Sequence, residues 1–149
     1  MRLFLDTNVL LDHALVRLTG QPFEVKQLIS WAYDNKIELL ISSGSFFTFA
    51  YVLERNGIKK DELKTTLKKY LAIVSVVTTS KEVLLKGLDS AFYDLEDSFH
   101  YMTALNENCD YLITSNISDF KTSKKDKTRP ITPSDFVSKI LGKKKGVDF

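Results

Sequence analysis

Apolar residues fall in short, nearly continuous runs at 3–5, 38–41, 73–77 and 111–114, with a weaker one at 129–132, and stretches of helical spacing separate them. Continuous runs of this length suit strands buried on both faces. Their alternation with helical segments predicts an α/β fold on a mainly parallel sheet of four to five strands. Pro22 stands where the first turn of a helix tolerates it, and Phe23, Val25, Leu28, Ile29 and Ala32 predict the apolar side of a helix reaching about Asp34. Thr79-Ser80-Lys81-Glu82 has capping-box spacing ahead of another apolar run. Pro133-Ser134-Asp135 opens a last helix through Phe136, Val137, Ile140 and Leu141, which Gly142 ends.

A chain of 149 residues with 44% hydrophobic content has the size and composition of one domain with a substantial core. We assign residues 1–142 to that domain and 143–149 to a basic C-terminal tail. The net charge of +2 is too small to indicate a wholesale nucleic-acid or membrane binder, but Lys121, Lys124, Lys125, Lys127 and Arg129 form a basic run, a candidate RNA contact or simply a solvated loop. The single cysteine, Cys109, has no intrachain disulfide partner and no ligand-spaced neighbour, and reads as a packed thiol. With no leader pattern and no bilayer-length apolar stretch, the expectation is a soluble, intracellular, cytoplasmic protein with no membrane partner.

The chemistry concentrates where polar residues follow predicted strands, at Asp6-Thr7-Asn8, Ser42-Ser43, Thr78-Thr79 and Thr114-Ser115-Asn116. In open α/β sheets ligands bind at those carboxyl ends. Asp6 reads either as a helix N-cap or as a functional acid. On a helix beginning near Asp94, Leu95, Phe99 and Met102 form an apolar stripe, while Asp94, Asp97, Ser98 and Tyr101 share another side within roughly 100° of arc. Glu96 points about 100° away from Asp97 and is the weaker ligand candidate; His100, about 60° from Asp97, reads as a half-exposed helix histidine. Asn116 and Asp119 could form an Asx-turn. Asp6, Asp97 and Asp119 together would converge on one sheet edge, with no Lys or Arg in the same short segments, and oxygen-only donors suit Mg²⁺ or Mn²⁺.

LFLDTNVLLD, DLEDSFHYMTA and YLITSNISDF, in this order, resemble the PIN domain family, in its VapC-like branch with a D-F-E-D-type central motif, and RPITPSDFVSKIL matches that branch's closing strand and helix. The resemblance implies a three-layer α/β/α fold and a metal-dependent endoribonuclease, often the toxin of a bacterial toxin–antitoxin pair and often a homodimer. By position, Asp6 and Asp97 match metal-binding acids, Asn116 and Asp119 match the acidic fourth motif, and Asn8 matches a polar residue supporting the first Asp. Thr48 stands where many members carry a glutamate on the helix after the second strand. Glu54 lies about 240° around that helix and does not substitute, whereas Asp94 or Glu96 could supply the charge, Asp94 with the better geometry.

These residues predict a reaction in which Asp6 and Asp97 hold Mg²⁺ or Mn²⁺, with Asp119 and Asn116 holding a second ion or the attacking water. A phosphatase of the haloacid-dehalogenase type would need a second Asp where this chain has Asn8, and a receiver domain would need an acceptor Asp where it has Thr78-Thr79. The rival from another class is a catalytically degenerate PIN-like module that binds RNA or a protein partner without cleavage. The missing glutamate favours it, and retention of the three aspartates disfavours it.

Overall fold

The computed structural model describes residues 1–120 and 127–143. β1 (Arg2–Leu5), α1 (Thr7–Leu15), α2 (Pro22–Asp34), β2 (Glu38–Ser42), α3 (Ser43–Arg55), α4 (Lys60–Leu71) and β3 (Ser75–Val77) form the first half. α5 (Lys81–Leu88), α6 (Leu95–Asn106), β4 (Tyr111–Ile113), a 3-10 turn (Ile117–Phe120), β5 (Arg129–Ile131) and α7 (Pro133–Asp135), prolonged by a π-helical turn (Phe136–Ile140), complete it. The sheet order is β3-β2-β1-β4-β5, each neighbouring pair parallel.

β1 reads as unbroken hydrophobe because both its faces are covered. Leu3 and Leu5 enter one core with Leu39 and Ile41 of β2, Val9 and Leu10 of α1, Leu28 of α2, Phe49 of α3, and Phe136. Phe4, between them, turns the other way, with Leu40 and Leu112, onto Tyr101 and Ala104 of α6. The period of two along a strand thus sorts the chain into three layers, α/β/α. The order also creates a switch point, because from β1 the chain goes first to β2 on one side and later to β4 on the other. The crevice at the carboxyl ends of β1 and β4 is where such a sheet binds ligands.

Three sequence expectations need correction. Phe23 is 52% exposed, leaving Val25, Leu28, Ile29 and Ala32 as the buried side of α2. The residue that caps α5 is Ser80, whose Oγ accepts from the Val83 amide, while Thr79 is hydrogen-bonded to Thr103. The expected apolar stripe of α6 is not its core face: Leu95 is 51% exposed, whereas Ser98, Tyr101 and Ala104 are buried. Tyr101 covers the sheet because its ring brings more area than a leucine and stacks near Phe92 and Phe120.

Phe99 instead packs on α5 across Gly87. A Cβ at Gly87 would stand 2.7 Å from the Phe99 ring and 3.0 Å from Ser98 Oγ. Gly87→Ala should therefore destabilise the protein by about 1–3 kcal/mol through overpacking, read as a lower urea midpoint with an unchanged slope.

Candidate active site

Asp6 leaves β1 still in the sheet, its amide donating to Ile113 O at 3.0 Å. It occupies the N-cap position of α1, but its carboxylate makes no capping hydrogen bond. Oδ2 instead accepts from Thr114 Oγ1 at 3.0 Å across the β1/β4 switch point, and the residue is only 4% exposed. Burial raises its pKa, against the opposing pull of His100 and the Thr114 hydrogen bond. Asp6 is thus at once the residue at the N-cap position and a buried acid facing the crevice.

Asp97 comes to the same place from the first turn of α6, which Asp94 caps by accepting from the Asp97 amide at 3.0 Å. Burial pushes the Asp97 carboxyl up to about 7, reinforced by the like charges of Asp6, Asp94 and Asp119 and by a hydrogen bond with Asp119. Asp119 sits in the 3-10 turn after β4, where Asn116 Nδ2 donates to its carboxylate and Asn116 O accepts from its amide at 3.2 Å. Asn116 and Asp119 thus share a turn, closed through backbone and side-chain bonds and not as the Asx-turn expected, and it delivers Asp119 to Asp97. Asp6, Asp94, Asp97, Asn116 and Asp119 share one edge.

His100 is not half-exposed. It is 4% exposed on α6, with Nε2 3.3 Å from Glu96 Oε1, 3.4 Å from Thr7 Oγ1 and 3.9 Å from Asp6 Oδ1. Burial alone would disfavour its charge, but the Glu96 hydrogen bond and Asp6 overcome this and hold its pKa above the ordinary value. Glu96 is held low in return, chiefly by its bond to His100. Thr7 continues the chain to Ser45 Oγ at 2.6 Å, and Ser42 Oγ accepts from the Ser45 amide. The N-terminal turns of α1, α3 and α6 are thereby tied together. Thr48 and Glu96 line the same cavity, of about 510 Å³, together with His100, Thr79 and Phe99. His13 is turned away, its Nδ1 2.7 Å from Tyr70 Oη.

Sequence reading gave no role to Asp12 or Arg17, and placed Thr114 and Ser115 only as polar residues after a strand. Asp12 is 4% exposed, pairs with Arg17 Nε at 2.8 Å and accepts from Ser115 Oγ at 3.1 Å; Asn8 Oδ1 accepts from Arg17 Nη2 at 3.3 Å. A charge following Val9-Leu10-Leu11 inside a helix was the available signal.

The basic run divides differently from expectation. β5 is parallel to β4, with Arg129 beside Tyr111, so β5 begins at the amino edge of the sheet. Lys127 and Arg129 therefore line a hollow with Met1, Asp110 and Tyr111, at the end of the sheet opposite the acids. Lys121, Lys124 and Lys125 lie outside the described residues.

The PIN domain family pattern matches residues 2–118. The chain belongs to the PIN domain family. This PIN domain is 32% identical over 124 residues to Ribonuclease VapC1 of Aquifex aeolicus (strain VF5), a match covering 80% of this chain and 83% of that protein. The fold of VapBC2 from Rickettsia felis, solved bound to a DNA fragment from its promoter, covers 89% of this chain and 98% of its own, with a TM-score of 0.66 and 17% identity. A toxin–antitoxin complex from Klebsiella pneumoniae gives a TM-score of 0.63 at 20% identity, covering 89% of this chain and 98% of its own.

For a divalent ion, the donor chemistry fits. Hard carboxylate oxygens are gathered at one edge, where Asp97 is raised first by burial and then by the charges of Asp6, Asp94 and Asp119, a setting that a proton or a cation would relieve. Among the described residues no group of three or more His, Cys, Asp or Glu side chains is placed to hold a metal ion. Mg²⁺ does not require one, since it commonly binds through one or two carboxylates and keeps several waters.

Proposed function

We propose that this PIN domain is a Mg²⁺- or Mn²⁺-dependent endoribonuclease that hydrolyses RNA phosphodiester bonds, and that it is the toxin of a toxin–antitoxin pair. The observation carrying this reading is the convergence of Asp6, Asp97 and Asp119 at the switch point, with Asp97 raised to about 7. Similarity to a ribonuclease across most of the chain supports it. When bound, the divalent ion would lower the pKa of a water and stabilise charge on the phosphodiester.

Asp6 and Asp97 would hold the ion, Asp6 oriented by Thr114 and Asp97 by the cap from Asp94. Asp119, braced by Asn116, would hold a second ion or orient the attacking water. Asp94 has one oxygen committed to its cap, so its part is chiefly to set the helix start. Glu96, bonded to His100, supplies a carboxylate to the cavity that Thr48 lines without one. Asn8 supports the edge through Arg17. The joint presence of the three aspartates argues against the non-cleaving alternative.

The partners that follow are RNA, an antitoxin protein and a second copy of the chain, the last two served by exposed apolar side chains at Phe47 and Tyr51 of α3 and Leu84, Leu85 and Leu88 of α5. We place the protein in the cytoplasm on this reading; among the described residues no helix is long and apolar enough to cross a membrane. Long single-stranded RNA incubated with Mg²⁺ or Mn²⁺, and separately with EDTA, tests the activity. Cleavage that requires metal and disappears in Asp6→Asn is expected. Intact RNA with wild type in both metals would refute the nuclease.

A further inference from the structure

α1 ends in an unusual way. Val16 is left-handed, with φ 50°, a conformation that a β-branched residue adopts only under constraint. The turn bends the chain back so that Arg17 lies alongside Asp12 and Asn8 of the helix just completed. Its backbone amide bonds Asp12 O at 3.0 Å, and its Nε meets Asp12 Oδ1 at 2.8 Å.

The Asp12 carboxylate is itself fixed. Ser115 Oγ, from the segment after β4, donates to Oδ2 at 3.1 Å, and Gly20 closes over the group so tightly that a Cβ there would fall 2.0 Å from Oδ2. Nη2 of Arg17 is directed to the Asn8 carbonyl at 3.4 Å and its Oδ1 at 3.3 Å. Two of the three guanidinium nitrogens are thus engaged, and among the described residues nothing accepts from Nη1.

The hollow beside this guanidinium holds about 280 Å³ and is lined by Asp6 and Asn116 as well as Asn8, Asp12, Thr19 and Ser115. A planar cation whose Nη1 meets no acceptor among the described residues is therefore pre-set at the rim of the acidic site. A counter-ion for Asp12 would need only one nitrogen and no shared hollow with Asp6. The side chain is 35% exposed, enough to meet a ligand and too enclosed to be a freely solvated surface arginine.

We propose that Arg17, held by Asp12 and Asn8 in the hollow shared with Asp6 and Asn116, is a substrate-binding residue that contacts a backbone phosphate of the RNA through its Nη1 edge. This deepens the nuclease reading and rests on it for the identity of the ligand. An arginine so braced loses little rotamer freedom on binding, and it presents the Nη1 hydrogens in a fixed plane where a lysine offers a mobile point charge. It also replaces, at the carboxyl edge, the positive charge that Lys127 and Arg129 carry to the far end.

The test uses the full chain carrying Asp6→Asn, which should leave RNA uncut, and a fluorescein-labelled single-stranded oligoribonucleotide titrated by anisotropy with Mg²⁺ at several salt concentrations. Adding Arg17→Gln should weaken binding about tenfold and lower the slope of log K against log salt by roughly 0.7, the loss of one phosphate contact. Adding Arg17→Lys retains a cation to neutralise Asp12 and so guards the fold. It should keep the slope but lose several-fold in affinity, because the braced planar donor is gone. Mn²⁺ affinity in Arg17→Lys with Asp6 intact should stay within about twofold of wild type, the change expected of a residue outside the metal ligands.

Unchanged affinity and slope in Arg17→Gln would overturn the contact, as would Arg17→Lys binding RNA as tightly as its parent. A parent that binds no RNA would overturn the contact and the RNA reading together. Wild type that binds the oligonucleotide without cutting it in either metal would overturn the nuclease alone, and the binding ratios would still decide Arg17.

Discussion

Asp97→Asn is expected to lower RNA cleavage by roughly 10²–10³-fold or more, the scale seen when one preorganised electrostatic group is removed from a transition state. The metal-free variant is expected to be more stable than wild type. Both results come from one cause. Asp97 is pushed up to about 7 by burial and by the charges of Asp6, Asp94 and Asp119, so its ionised form opposes folding at neutral pH unless a cation is present. An amide at this position keeps the shape, can donate to Asp119 and brings no charge. Cleavage assays in Mg²⁺ and Mn²⁺, with melting curves in EDTA, measure the two effects on the same samples. A variant that cuts at the wild-type rate, or that melts lower than wild type in EDTA at about pH 8, would remove Asp97 from the role assigned to it.

The second large effect is the response of the apo protein to pH. Between the ordinary Asp value of 3.8 and the folded value of about 7, the folded state binds more protons than the unfolded one. Stability therefore falls as pH rises through this window and levels off above it. The raised values of Asp6 and His100 bend the curve the same way, while Glu96, held low, opposes it only below its ordinary range, and His13, held low by burial, opposes it below neutrality. Solvent screening of the half-exposed Asp97 reduces its share to the order of 1 kcal/mol, about 2–4 °C in a chain of this size. The protein in EDTA should accordingly melt lower at about pH 8 than at about pH 5. Mn²⁺ at about a hundredfold over its Kd should reverse this by about 2.7 kcal/mol of linked stability. Superimposable melting curves in EDTA and in Mn²⁺ at the higher pH would contradict the metal site.

The strands were legible because a sheet covered on both faces makes strong local demands. Leu3, Phe4 and Leu5 must all be apolar when neighbours press on either side, and Asp6 stands out as the first residue beyond them. Asp97 and Asp119 were legible for a similar reason, since a capped helix start and a polar turn after a strand are marked by residue type within a few positions. What failed were inferences about which way a side chain faces when its partner is remote. Leu95 was assigned inward and Tyr101 to the acidic side, but area and ring packing against Phe92 and Phe120 put Tyr101 on the sheet. His100 reads as half-exposed from its helix alone, because Asp6 and Thr7, which it meets in the fold, lie more than ninety positions away along the chain.

By itself, then, the sequence determined the α/β alternation, the element boundaries near Pro22 and Pro133, and the three aspartates, because each is written in short-range periodicity, capping chemistry or the polar stop after a strand. The tertiary structure alone decided the rest. Strand order put Thr114 against Asp6, the parallel return to β5 carried Lys127 and Arg129 to the opposite edge from the acids, and the left-handed turn at Val16 brought Arg17 back to Asp12. These outcomes depend on which distant segments become neighbours, and charge, unlike a buried apolar run, carries no local mark of the partner it will meet.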